Sequence, residues 1–188
     1  MRASRPGESA LLLLDVVDAL AAAQIGYAVI GALAASVHGA GRASMDADAL
    51  LPVHPQELDR VKRQLERCGF HIDVSWGDAD DPISALLRVD DPYGNRVDLL
   101  VGLRGAPQEL FSRVIEVPFQ GTLLKFAARE DFIAMKAFAG GPVDLHDASC
   151  AISAAGDTLD TTLLRRIAAG FGRHTAETVE RLIASTGQ

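Results

Sequence analysis

Cysteine is scarce. Cys68 and Cys150 are the two in 188 residues, and neither belongs to a CxxC pair, so a disulfide scaffold is excluded and a thiolate zinc site disfavoured. Both read as buried, reduced thiols of a cytoplasmic chain. Excess positive charge is also missing: the formal charge is −7. That removes a protein basic all over, which would neutralise phosphates wherever it met them, and any nucleotide or RNA must meet a local patch or a metal. Long hydrophobic runs are absent as well. Arg2 and Arg5 ahead of Leu11 to Leu14 imitate a signal peptide, but Asp15 and Asp18 interrupt the stretch, and no run reaches the roughly 18 apolar residues of a membrane span. There is no internal repeat. What is present is ordinary globular composition, 48% hydrophobic and 23% charged, at a length that suits one domain with a small helical appendage.

Helical spacing over Ser9 to Gln24 predicts an amphipathic first helix with Ser9 as N-cap. Tyr27 to Ile30 predicts a buried strand, and Gly31 opens a second helix, Ala32 to His38, that Gly39 ends. After the small-residue loop 39–44, Met45 to Leu51 alternates as a strand does, until Pro52 and Pro55. A helix from Pro55 to about Cys68 turns Leu58, Val61 and Leu65 inward. Its basic run Arg60, Lys62, Arg63 and Arg67, interleaved with Asp59 and Glu66, reads as a solvated face rather than an RNA track. Strands are expected at Phe70 to Val74, Ser84 to Val89 and Arg96 to Val101, the last two joined by the turn signal of Asp91 to Asn95. A helix over Pro107 to Val114 and short strands at 115–119 and 122–126 follow. From Arg129 onward the pattern is helical. The expected fold is therefore α+β, a mixed β-sheet flanked by helices over 1–126 with a C-terminal helical bundle over 127–188.

The chemistry concentrates at three aspartates. Asp46 and Asp48 are two apart on a strand, so both point to one face, where their like charges repel unless a cation sits between them. Oxygen-only ligands favour Mg²⁺ or Mn²⁺ over zinc. Asp98, between Val97 and Leu99 on a strand that can pair nearby, is the natural third carboxylate. Such a set suits nucleotidyl transfer from an NTP, with in-line attack at the α-phosphate and loss of pyrophosphate. Gly31, at a strand-to-helix turn, leaves backbone N–H groups open to phosphate oxygens.

The segments Tyr27-Ala28-Val29-Ile30-Gly31-Ala32-Leu33-Ala34, His38-Gly39, Arg42, Ser44 and Asp46-Ala47-Asp48-Ala49-Leu50-Leu51 resemble the opening motif of the nucleotidyltransferase (DNA polymerase β-like) superfamily. More narrowly they resemble the AbiEii-type toxins of type IV toxin-antitoxin systems. Glu130-Asp131-Phe132-Ile133-Ala134-Met135-Lys136 and Ala139-Gly140-Gly141-Pro142-Val143-Asp144-Leu145-His146-Asp147-Ala148 resemble that family's lysine and paired-aspartate stretch. The likeness runs from about Gly26 to the neighbourhood of Leu182. It implies Asp46, Asp48 and Asp98 as metal-binding and catalytic residues, with Gly31, Ala32, Arg42, Ser44, Lys136, Asp144 and Asp147 bordering the nucleotide. It further implies an RNA (such as tRNA) or protein acceptor, and an antitoxin as partner. Two features depart from the family: Ala32 stands where glycine or serine is usual, and the acidic stretch Trp76 to Pro82 matches nothing.

Other readings stand beside these. The same fold serves as a noncatalytic nucleotide-binding or partner-binding module, or transfers a nucleotide to an antibiotic. Lys136 equally suits a surface lysine on an amphipathic helix. Asp144 suits a helix N-cap, with Asp147 favouring the positive helix end. His38 reads as a helix terminator beside Gly39.

Overall fold

Alternating burial builds the largest element of the structure, a computed structural model that describes residues 1–42 and 44–186. Ala43, in the loop read from the sequence, lies outside the described residues, as do the last two. In chain order the elements are α1 (Ser9–Ala22), β1 (Ala28–Ile30), α2 (Gly31–Val37), β2 (Asp46–Leu51), α3 (Leu58–Arg67), β3 (His71–Trp76), β4 (Ile83–Asp90), β5 (Arg96–Leu103), β6 (Ile115–Phe119), β7 (Thr122–Phe126), α4 (Arg129–Ala139), α5 (Pro142–Ala155), α6 (Thr161–Gly170) and α7 (Arg173–Thr186). The seven strands form one mixed sheet in the order β3-β4-β5-β2-β1-β7-β6. β2 runs parallel to β5 and antiparallel to β1, and β4 runs antiparallel to β3 and β5. No helix among the described residues is long and apolar enough to cross a membrane.

The chain forms two compact units. The first comprises the described residues of 1–33, 43–104 and 116–126, the second those of 34–42, 105–115 and 127–188. In the first, Ala47, Ala49, Ala85, Leu87, Val89, Val97, Leu99 and Val101 alternate onto one sheet face and are buried, and α1 and α3 pack on the sheet. α1 is buried nearly all round through Leu12, Leu13, Leu14, Val16, Val17 and Leu20. Side chains of this size contribute roughly 1.5–3 kcal/mol each on full burial.

Ser9 does not cap α1, as its spacing predicts. Glu8 takes that position without a side-chain bond. Ser9 is buried instead, its hydroxyl donating to the Met45 carbonyl and accepting the Arg96 N–H at 3.1 Å, so the first turn of α1 is tied to the starts of β2 and β5. The β4–β5 turn is held by side chains. Asp91 Oδ1 accepts the N–H groups of Tyr93 and Asn95 at 2.8 and 3.0 Å, and Asn95 Nδ2 donates to Asp91 Oδ2 at 2.7 Å. These bonds replace the ladder that the chain gives up in turning.

In the second unit α4, α5, α6 and α7 pack on one another. Every residue of α4 from Asp131 to Ala137 is buried, so this helix is an interior element and not an amphipathic surface one. α5 begins at Pro142, with Gly141 as N-cap, because proline is preorganised for the first helical position. The expected cap Asp144 therefore falls in the first turn. His38 follows the end of α2, is buried, and makes a 2.9 Å hydrogen bond from its ring to the Ala127 carbonyl. The helix expected over Pro107 to Val114 is a short 3-10 segment, Gln108–Ser112.

Candidate functional site

Register places the aspartates. Asp48 lies opposite Ile30 of β1 on one side and Asp98 of β5 on the other, and Asp46 lies opposite Arg96. Cross-strand partners point to the same face. β4 extends the pattern, with Arg88 opposite Asp98 and Asp90 opposite Arg96. One face of the first unit therefore carries two charged rows: Asp90, Arg96 and Asp46 in one, Arg88, Asp98 and Asp48 in the next. All six residues are half-buried, while the residues between them on the same strands are buried in the apolar layer on the other face.

The rows are partly paired. Arg96 Nε donates to Asp90 Oδ1 at 2.9 Å, and the Asp90 carboxylate raises the pKa of the Arg96 guanidinium. Arg88 Nε and Asp98 Oδ1 stand 3.8 Å apart, close enough for ionic attraction but too far for a hydrogen bond. Both atoms are buried and have no hydrogen-bond partner among the described residues. Burial pushes the Asp98 carboxyl above its ordinary pKa. Arg88 and Arg96 pull it back, and Asp46 and Asp90 add to the rise.

Gly31 begins α2 at φ +65°, a left-handed conformation that side-chain-bearing residues avoid. A Cβ there would overlap the Asp48 carboxylate. The glycine that the sequence reading assigns to phosphate approach thus first makes room for Asp48 itself. Ala32 follows it, buried. Ser44 is exposed, and its Oγ accepts the Asp46 N–H at 3.3 Å, pinning the entry to β2. Among the described residues no three His, Cys, Asp or Glu side chains gather closely enough to hold a metal ion. The geometry gives the reason: Asp98 Oδ1 faces Arg88 on the β4 side, whereas Asp48 packs over Gly31 on the β1 side.

The remaining expected residues lie in the second unit. Lys136 is buried, with Nζ 2.7 Å from Asp144 Oδ1 and 2.9 Å from Asp147 Oδ2. Arg42 Nε reaches the same Asp147 oxygen at 3.2 Å. Asp147 is fully buried, and its other oxygen has no hydrogen-bond partner among the described residues. The surface-lysine reading of Lys136 is thereby corrected: on an interior helix it meets carboxylates rather than water. A second buried pair stands nearby in sequence, Asp131 with Arg113, at 2.8 and 2.5 Å.

Arg88, Asp90 and Arg96 are the charged residues that the sequence reading passed over. The signal was available. With Asp91 to Asn95 as a hairpin turn, Asp90 must face Arg96, and Arg88 must face Asp98.

No protein-family model matches the chain, and no curated protein matches its sequence. Solved structures do match, and they define the class: this is the nucleotidyltransferase fold. The antibiotic-resistance factor ANT(2'')-Ia superposes with a TM-score of 0.60 at 14% identity, over 90% of this chain and 94% of that one. An antigenic nucleotidyltransferase-like protein from Paracoccidioides brasiliensis gives 0.55 at 17% identity, over 97% and 95%. The lincosamide antibiotic adenylyltransferase LnuA gives 0.50 at 15% identity, over 74% and 93%.

Proposed function

We propose that the protein transfers a nucleoside monophosphate from an NTP to an acceptor hydroxyl. The observation that carries this reading is the register of Asp46, Asp48 and Asp98 on one face, beside the Gly31 turn, in a nucleotidyltransferase fold. In kind these residues fit a hard divalent cation, being carboxylates only, and Asp98 Oδ1 is a buried acceptor with its hydrogen bonding unmet. Asp46 and Asp48 would hold Mg²⁺ or Mn²⁺, with Asp98 joining them only on leaving Arg88, and the ion would supply neutralisation of the triphosphate and a more acidic acceptor hydroxyl.

The chain's own contributions follow from its geometry. Asp98, whose carboxyl is shifted toward higher proton affinity, accepts the hydroxyl proton as the acceptor oxygen bonds to the α-phosphorus and the bond to pyrophosphate breaks. Arg88 and Arg96 oppose that shift. Gly31 and Ala32 offer backbone to the phosphates, while Ser44 fixes the strand entry. Arg42, Lys136, Asp144 and Asp147 form a cluster within the second unit, for which the resemblance suggests nucleotide contact. Lys136 organises the two aspartates in that cluster, which leaves one of its three N–H donors for a phosphate.

RNA or protein as acceptor, with the chain acting as an AbiEii-like toxin held by an antitoxin, is the reading its motifs support. A small antibiotic as acceptor is the competing reading, supported by the likeness to ANT(2'')-Ia and LnuA. A noncatalytic nucleotide-binding module has one observation in its favour, the turn of Asp98 toward Arg88 rather than toward Asp48.

The test uses each of the four α-labelled NTPs with Mg²⁺ or Mn²⁺ and, separately, tRNA, total protein and a panel of aminoglycosides and lincosamides. Label should move in the wild type and not in the Asp46→Asn, Asp48→Asn variant. Equal labelling by both proteins overturns the assignment, and nucleotide binding without labelling of any acceptor supplied favours the noncatalytic module.

A further inference from the structure

Partners are available to most of the 18 Lys and Arg side chains in this acidic chain. Thirteen of them hold a carboxylate, a hydroxyl or a backbone carbonyl. Arg60, Arg63, Arg67, Lys125 and Arg166 hold none among the described residues, and three of these five stand together. Arg60, Arg63 and Arg67 line one groove of about 450 Å³ between α3 and the end of α1. The acids interleaved with them in sequence do not neutralise them: Glu66 pairs with Lys62 at 3.7 Å, and Asp59 makes no ion pair among the described residues. α3 does present the solvated face expected from the sequence, with Arg60, Arg63 and Arg67 exposed, but the interleaved acids leave their charge unbalanced.

Like charges three and four apart on a helix repel. Three unpaired guanidiniums on one face are costly, and more conspicuous in a protein of charge −7, unless an anion completes them. The other wall of the groove narrows the choice. It is made by residues 22–25, and the carbonyls of Ala22 and Ala23, at the C-terminal end of α1, accept no backbone hydrogen bond among the described residues. Free carbonyls repel a bare anion and want hydroxyl donors. A ribose-phosphate backbone offers both, phosphates for the forked guanidiniums and 2′-hydroxyls for the carbonyls. Arg60 to Arg67 spans about 10 Å along the helix axis, at about 1.5 Å per residue. That length is enough to run beside several successive phosphates of one duplex strand rather than a single one. Among the described residues lining the groove there is no aromatic side chain, and Ile25 stands as the large apolar one beside three arginines.

We propose that this groove docks the backbone of an RNA duplex without regard to sequence. It belongs to the side of the first unit built by α1 and α3, whereas the aspartates share the charged face of the sheet, so the occupant is a polymer gripped at a distance from the reacting group. Only the further identification of that RNA as the acceptor rests on the function proposed above.

The experiment measures binding of the full chain to a fluorescent RNA duplex of 20 base pairs across a salt series. EDTA is present and NTP absent, so transfer chemistry plays no part. The variant is Arg60→Gln, Arg63→Gln, Arg67→Gln, all at exposed positions, with circular dichroism checking that it folds as the wild type does. Each phosphate contact contributes about 0.9 to the slope of log K against log salt, so the variant's slope should be shallower by about 2.7 and its affinity at low salt roughly tenfold lower or weaker still. A DNA duplex of the same sequence should bind more weakly than the RNA. An unchanged slope in the variant, equal affinity for DNA, or binding to phosphatidylserine vesicles without binding to RNA each overturns the proposal. Label transfer that persists while duplex binding fails would sink the groove and spare the enzyme, and the reverse result would do the opposite.

Discussion

Replacing Lys136 with Met separates two roles for the lysine. Met keeps the length of the side chain and its contacts along the interior helix α4 but removes the ammonium. Asp147, with no exposed surface, would then keep only Arg42, at 3.2 Å and from a side chain 36% exposed, while one of its oxygens is already without a hydrogen bond. Removing one partner of a buried ion pair costs about 3–5 kcal/mol, because the remaining charge stays buried. Arg42 compensates in part, so the lower end, about 3 kcal/mol, is the expected loss. The half-exposed Asp144 adds little. For a chain of this length, 1 kcal/mol corresponds to roughly 2–4 °C, so the midpoint should fall by about 6–12 °C in a thermal scan. Adding Asp147→Leu should restore most of that loss, since removing both partners abolishes the stranded charge and leaves Arg42 free to reach water. A Lys136→Met midpoint within about 2 °C of wild type, combined with an NTP affinity lowered tenfold or more, would refute this reasoning and assign the lysine directly to the triphosphate.

Two more substitutions probe the positions of the site and the pH response. Gly31→Ala must hold a left-handed φ at about 1–2 kcal/mol and push the Asp48 carboxylate aside. Urea unfolding should show at least that destabilisation, and label transfer should fall further than stability alone explains; a variant with wild-type transfer would show that Asp48 is not positioned by the gap. His38 titrates in the opposite sense to a salt-bridged histidine. Burial lowers its folded pKa below the unfolded value of about 6.5, so the unfolded state binds the extra proton as pH falls through that window. Stability is full above about pH 6.5, declines as pH drops toward the lowered folded pKa, and levels off beneath it. His38→Gln, which keeps a donor for the Ala127 carbonyl, should flatten the difference between unfolding curves at pH 7.5 and pH 5.5. Parallel pH dependence in the two proteins would exclude His38 as its source.

The legible part of this fold is the part fixed by local rules. Alternation within Asp46–Leu51 and Arg96–Leu103 put the aspartates on a definite face, because a shift of one residue would bury charges and expose Ala47, Ala49, Val97 and Leu99. The turn Asp91 to Asn95 fixes the β4–β5 register by its length, so Arg88 and Asp90 were deducible once the hairpin was taken literally. Ser9 was misplaced because a serine before a hydrophobic run is the ordinary sign of a cap, and no local rule shows that its hydroxyl is needed 36 residues away at Met45.

Lys136 shows where such rules stop. An amphipathic helix announces its buried stripe by period, but α4 is buried on every side over Asp131 to Ala137, and the same letters serve a surface helix equally well. What decides between them is a carboxylate 11 residues on, Asp147, and an arginine 105 residues from that carboxylate, Arg42. Charges so far apart in sequence become partners through tertiary packing alone. The same reasoning separates α3 from α4. On α3 the expected acids are close in sequence yet leave Arg60, Arg63 and Arg67 unpaired, while on α4 distant acids neutralise the one lysine. Proximity in the chain is thus a poor guide to which cations are free to meet a phosphate. Among the described residues three of the five unpaired cations, Arg60, Arg63 and Arg67, are on α3, whereas Lys136 already holds two carboxylates.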